Sequence, residues 1–288
     1  MTDSIDHAPA PLERLSALLG GQLELIDLSD LMSNASSSVE PNPHRIEYLD
    51  HAQTAALGRE RFGVEPEDWK DGLAYAIENV TATTHSGTHM DAPWHYAPTS
   101  GGQPARTIDE VPLDWCLRPG VLLDMRGIDR VRGITAEDVE AELDRIAYAI
   151  KPFDIVLVRT GASEHFGEPG YHLWGPGLRR DATALLVERG VKIIGIDAWG
   201  LDRPFDVMAE EVRGGDRDQL WESHKYGAER EYLQLERLAN LGALPCAHGF
   251  LVAAFPCRIE HASAAWTRVV AIVDRAAGQR NAKETTAT

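Results

Sequence analysis

The chain has 288 residues, 43% apolar and 25% charged, and carries a formal net charge of −17. A chain of that size can bury a full core without covalent staples, and its acidity disfavours the phosphate backbone of a nucleic acid as partner. Its three cysteines, Cys116, Cys246 and Cys257, form no CxxC pair and leave an odd thiol, so no closed disulfide framework is expected.

The N-terminal stretch MTDSIDHAPAPLERL has no basic segment followed by an apolar run, so it is not read as a signal peptide. No run of about 18 apolar residues follows, which argues against a membrane span and points to the cytoplasm. Residues 1–23 read as an N-terminal extension, 24–275 as the folded domain and 276–288 as a tail. Ser36–Trp69 is polar and irregular, the pattern of a binding loop, a lid or surface decoration. Val80, Thr81, Thr83 and Thr84 then favour a strand.

From residue 120 the chain alternates strand-like and helix-like patterns. GVLLDMRG (120–127) is a short apolar run closed by glycine and reads as a buried strand. ITAEDVEAELDRIAYAI has apolar residues at helical spacing, with Thr135 as N-cap. DIVLVRTG (154–161) is a second strand, RRDATALLVERG a helix stopped by Gly190, and VKIIGIDAWG a third strand. A second irregular segment, Leu201–Gly227, precedes two closing strands, GFLVAAFP and TRVVAIV. Alternation of this kind predicts an α/β fold with a central sheet and flanking helices. Cys246 and Cys257 lie beside apolar runs and are expected to be buried.

The segment HSGTHMDAPWH, His85 to His95, concentrates the chemistry. Gly87 and Pro93 disfavour a helix through it. In a strand, His85, His89, Asp91 and His95 would begin on one face. A straight strand would hold His85 and His89 about 13 Å apart, too far to share an ion. Ligand atoms must approach a metal to about 2.0–2.2 Å, so the chain must bend, and Gly87 permits this. Imidazoles with a carboxylate suit Zn²⁺, Mn²⁺ or Fe²⁺, and two His with one carboxylate also describe the facial triad of non-haem Fe(II) oxygenases. Asp197 is a candidate to orient a ligand histidine or to serve in a turn, and Trp94, Trp199 and Trp221 are candidates for a pocket wall or for packing. His165, His172, His248 and His261 have no ligating spacing.

The pattern His-x-Gly-Thr-His-x-Asp-x-Pro-x-His resembles the signature of the cyclase family of metal-dependent hydrolases, which includes bacterial kynurenine formamidase and isatin hydrolase. ESHKYG and YLQLERL resemble two downstream family segments, which places His224 and Glu236 as further ligands. The resemblance implies a swivelling β/α/β-type single domain with a mixed sheet, assembled as a homodimer or homotetramer. It implies one or two divalent ions, Zn²⁺ or Mn²⁺: His85, His89 and Asp91 would bind the first, and Asp91, His224 and Glu236 the second. His95 would be the general acid and base. The substrate would be a small formamide, cyclic amide or lactone. Glu40 stands near the position where kynurenine formamidases carry a substrate-contacting tryptophan, which argues against kynurenine specificity.

Overall fold

The structure is a computed structural model and describes residues 23–38 and 40–274. The expected tail, and the extension up to Leu23, lie outside the described residues. Strand β1 (Leu23–Asp27) leads through the short α1 (Asn34–Ser37) into an arm made of β2 (Arg45–Leu49), α2 (His51–Ala56), α3 (Gly58–Phe62) and β3 (Ile77–Thr81). Next come β4 (His89–Asp91), α4 (Pro93–Tyr96), β5 (Thr99–Ser100) and β6 (Gln103–Pro104). β7 (Leu117–Asp124), α5 (Ala136–Arg145), β8 (Ile155–Arg159), α6 (Arg180–Glu188) and β9 (Ile193–Ile196) then alternate. The chain continues through α7 (Phe205–Arg213), α8 (Glu222–Glu229), β10 (Leu233–Glu236), β11 (His248–Ala253), β12 (Ala264–Trp266) and β13 (Val270–Asp274).

Nine strands form one mixed sheet in the order β1-β13-β11-β7-β8-β9-β10-β4-β12. The run β7-β8-β9-β10 is parallel, and both flanks are antiparallel. Ile155–Val158 of β8 and all of β9 are apolar on both faces because both faces are covered, whereas β10 sets Gln234 and Glu236 on one face. Val156 and Val158 of β8 pack with Val139 and Leu143 of α5 and Ala182 and Leu186 of α6. Ile155 and Leu157 point the other way, into a second core with Met90, Leu235, Phe250 and Val252. Burying each such side chain contributes about 1.5–3 kcal/mol. α5 begins at Thr135, whose side chain and that of Asp138 cap one another's backbone N–H groups. α6 ends just before Gly190, at φ +92°.

The sequence predicts a strand running toward the histidines, but β3 stops at Thr81 and pairs only with β2. Thr83 and Thr84 instead enter a turn, and every residue of β3 is exposed. Of the cysteines, Cys116 is the buried one; Cys257 is exposed and Cys246 half-buried, contrary to the sequence reading. Cys257 lies in irregular chain between β11 and β12. Among the described residues, no helix is long and apolar enough to cross a membrane.

Candidate metal centre

β4 lies between β10 and β12, with His89 opposite Glu236 and Asp91 opposite Gln234. Residues two apart in a strand share a face, so His89, Asp91 and Glu236 point the same way while Met90 and Leu235 enter the core. His85 arrives from the turn at Gly87, whose φ of +62° is readily adopted only without a Cβ. His95 arrives from α4, which Pro93 opens as its first residue. The bend that the ligand distances demanded is therefore present, at the glycine. His224 comes from the first turn of α8; the segment Leu201–Gly227, which reads as irregular in the sequence, holds α7 and most of α8.

These side chains converge on Asp91, which is fully buried. His85 Nδ1 lies 2.8 Å and His89 Nε2 3.2 Å from Asp91 Oδ1. His224 Nε2 and His95 Nε2 lie 3.8 and 3.9 Å from Oδ2. Glu236 Oε2 is 3.5 Å from His89 Nε2. Donor atoms of His89, Asp91 and Glu236, and separately of His85, Asp91 and His95, lie within 4.8 Å of one another. The sequence reading paired these residues differently, with His95 outside the ligand set; in the structure His95 lies as near Asp91 as His224 does.

The outer contacts fix which nitrogen of each ring faces inward. His89 Nδ1–H donates to the Gly87 carbonyl at 2.8 Å, leaving Nε2 toward the acids. His85 Nε2 shares a hydrogen bond with Ser263 Oγ at 3.0 Å, leaving Nδ1 inward. His224 Nδ1–H donates to Asp202. Glu236 Oε1 accepts the Leu201 N–H at 2.8 Å, leaving Oε2 free to turn inward. His95 alone of the four histidines has no such outer hydrogen bond among the described residues.

Among the described residues, His89 Nε2 and both Asp91 carboxylate oxygens are buried without a well-aligned hydrogen-bond partner, although His85 Nδ1 lies 2.8 Å from Oδ1. Buried polar atoms of this kind are costly unless a ligand satisfies them, and an oxygen–nitrogen donor set of this composition fits a divalent ion. The electrostatics agree. Burial alone would lower the His89 imidazole, but Asp91 and Glu236 outweigh it and raise its pKa to about 9. Burial also opposes the charge on His224, which Asp202 and Asp91 nonetheless raise to about 10. Asp91 would be raised by burial, yet His89, His224 and His85 hold it well below the usual carboxylate range. The acids thus retain positive charge at the inward nitrogens, the place a cation takes when the protons leave. His95 differs: burial lowers it to about 4, so its ring is a neutral base.

Beside these residues opens a cavity of about 260 Å³. Its walls are aromatic. Trp221 stacks on His224 at 4.3 Å, Phe205 lies 6.3 Å from both Trp221 and Trp199, and His172 lies 6.2 Å from Trp199. Trp94 is half exposed and outside the cavity, so two of the three candidate tryptophans line it. The second segment, Leu201–Gly227, contributes Asp202, Arg203, Pro204, Phe205, Met208, Trp221 and His224 to the wall. The first contributes Asn42 to the lining and Glu40 beside it, and otherwise forms the exposed arm.

Asp197 holds no histidine. Its carboxylate accepts from the backbone N–H groups of Thr160 and Gly161 and from the Thr160 hydroxyl, fixing the loop after β8. The residue that orients His224 is Asp202, which the sequence reading missed. Its carboxylate also accepts the backbone N–H groups of Ser223 and His224, and so caps α8. An acid in a loop 22 residues before its histidine leaves no local signal.

A profile of the family described as "Putative cyclase" matches residues 26–203. Kynurenine formamidase of Bacillus cereus is 26% identical over 133 residues, 45% of this chain and 54% of that protein. The chain thus spans about half the length of the curated relatives it matches. An isatin hydrolase bound to the product analogue thioisatinate superposes with a TM-score of 0.72 at 21% identity, covering 93% of this chain and 100% of that one. A Bacillus stearothermophilus protein described as a "predicted metal-dependent hydrolase" superposes with a TM-score of 0.59 at 20% identity, covering 88% and 99%. At these identities the structural likeness is one of fold.

Proposed function

From the premise that the chain belongs to the cyclase family, we propose that it is a metal-dependent hydrolase of a cyclic amide, lactone or aryl-formamide bond. One observation carries the reading: four histidines and Glu236 close around one buried carboxylate whose oxygens have no well-aligned hydrogen-bond partner among the described residues. His85, His89 and Asp91 would hold one divalent ion, Zn²⁺ or Mn²⁺, and His224 and Glu236 with Asp91 a second. Such an ion supplies Lewis acidity, lowering the pKa of water toward about 7 and polarising a carbonyl.

The chain's own residues account for the rest. The aromatic walls orient the substrate and exclude bulk water. His95 is the proton carrier: it faces the cavity, and no outer hydrogen bond fixes its tautomer. It accepts a proton from the attacking water and returns one to the leaving nitrogen or oxygen. Water adds to the carbonyl carbon, the C–N or C–O bond breaks, and a carboxylate leaves with an amine or alcohol.

His85, His89 and Asp91 alone would also suit an Fe(II) oxygenase. His224 and Glu236, which turn to the same carboxylate, favour the hydrolase, because a facial triad needs neither. The test is a screen of formanilides, isatin-like lactams and unsaturated lactones with added Zn²⁺ or Mn²⁺, run with and without oxygen. Metal-dependent, oxygen-independent hydrolysis supports the reading; turnover that requires oxygen overturns it.

A further inference from the structure

Arg237 follows Glu236 at the end of β10. In a regular strand it would point away from the metal ligands, into the core. Instead its backbone is left-handed, at φ +58°, a conformation seldom adopted by a side-chain-bearing residue and costing about 1 kcal/mol or more. The backbone stays tied on both sides: its N–H donates to the Ala198 carbonyl at 3.0 Å, and its own carbonyl accepts the Thr88 hydroxyl at 2.6 Å. The turn brings Glu236 and Arg237 to line the same cavity.

Two arginines in that cavity wall are buried, and they are used differently. Arg203 spends its terminal nitrogens on the Val131 carbonyl, Glu211, Gln219 and Glu222, and so holds α7 and α8 together. Arg237, only 5% exposed, makes one side-chain hydrogen bond among the described residues, from Nη1 to Glu40 Oε1 at 2.9 Å. A guanidinium has five N–H donors. Its Nε is buried without a partner among the described residues, and the group lies over the Trp199 ring, 5.2 Å from its centroid. The other oxygen of Glu40 accepts from Trp199 Nε1 at 3.2 Å, so one carboxylate fixes both the cation and the aromatic wall.

We propose that Arg237 is a specificity-determining residue that donates to a neutral acceptor oxygen on the substrate, a carbonyl remote from the scissile bond, and that Glu40 selects against a carboxylate there. The spare donors call for an acceptor. Glu40 already balances the charge, and Asp30 and Asp197 lie near enough to act on the same cluster; burial pushes the Asp30 carboxyl up to about 7. A further anion would meet these acids, whereas a carbonyl would not. The substrate class narrows to planar amides or lactones that carry a second carbonyl. This rests on the hydrolase reading, and the test keeps the two apart.

Formanilides bearing a carboxamide, a carboxylate or hydrogen at the ortho, meta or para position are compared on the metal-loaded enzyme. At one position at least, the carboxamide should exceed hydrogen about tenfold or more in kcat/KM, through KM, and the carboxylate should not. Arg237→Met should collapse that ratio, and Glu40→Gln should shift the preference toward the carboxylate. The corresponding anilines, titrated by tryptophan fluorescence, give the same comparison without turnover. If no formanilide, isatin-like lactam or unsaturated lactone is cleaved, the hydrolase reading fails while the binding titration still decides this one. If Arg237→Met does not fold, Arg237→Lys and Glu40→Gln carry the test. Equal treatment of carboxamide and hydrogen at all three positions, or a wild-type preference for the carboxylate, overturns the proposal.

Discussion

Replacing Asp202 by asparagine would test how the protein holds His224. Three donors meet the Asp202 carboxylate: the Ser223 N–H on Oδ1, and the His224 N–H and Nδ1–H on Oδ2. Asparagine keeps the size but offers one oxygen. If that oxygen serves Ser223, the new NH₂ group faces two donors. The imidazole can relieve the conflict by moving its proton to Nε2, which removes the inward lone pair. Losing a hydrogen bond to a charged group costs about 1.5–3 kcal/mol. Removing the outer partner of a ligand histidine typically weakens metal binding about 10–100-fold, or roughly 1.4–2.7 kcal/mol, so the two estimates agree. Competition with a chromophoric chelator reads this directly. Asp202→Asn should weaken the ion held by His224 and Glu236 by that factor and leave the ion of His85 and His89 near its wild-type affinity. An unchanged affinity for every bound ion would refute the positioning role.

Removing divalent metal with a chelator should abolish hydrolysis, and Zn²⁺ or Mn²⁺ should restore it; full activity in a preparation shown metal-free by elemental analysis counts against the mechanism. His95→Ala should still bind metal but lose about 10²–10⁴-fold in kcat; a metal-free variant would make His95 a ligand. Gly177→Ala should destabilise by about 2–4 kcal/mol in denaturant melts, because its φ is +59° and a Cβ would sit 2.2 Å from the Asp202 carbonyl carbon. The raised pKa of Asp30 predicts a pH effect on stability. Its folded value of about 7 against 3.8 means the folded chain favours the protonated acid, so stability from this group is full near pH 4 and falls as pH rises to 7. Partial solvent contact reduces the effect to about 2 kcal/mol, and Asp30→Asn should flatten that slope; an identical slope in wild type and variant would remove Asp30 as its source.

The metal-binding candidates were legible in the sequence to the extent that they are local. HSGTHMDAPWH writes its bend into Gly87 and Pro93, and the structure turns at both. His224 and Glu236 were legible only through their resemblance to family segments, because what brings Glu236 to His89 is strand pairing between distant parts of the chain. Of the parallel strands, β7, β8 and β9 declared themselves by apolar runs, since both their faces are buried; β10 did not, because Gln234 and Glu236 make one of its faces polar. Asp202 and Arg237 did not. An aspartate in a loop looks like any turn residue until the helix it caps is in place. The inward turn of Arg237 depends on one backbone angle that neither composition nor periodicity encodes. Val80 and Thr81 lie in β3 as the sequence predicts, but Thr83 and Thr84 do not: threonine favours a strand anywhere, and the residues that settle where β3 ends lie outside it.

The pairing of β4 with β10 also separates two kinds of change. The donors on His89, Asp91 and Glu236 are set by a backbone ladder, and a slip of one residue would turn Glu236 to the far face. Much of the cavity's aromatic lining, by contrast, hangs from the segment between β9 and α8, where no ladder constrains it. Mutations can therefore accumulate in the walls while the ladder stays fixed. A lineage built this way can drift from one cavity shape to another without passing through a form that has lost the ligand set.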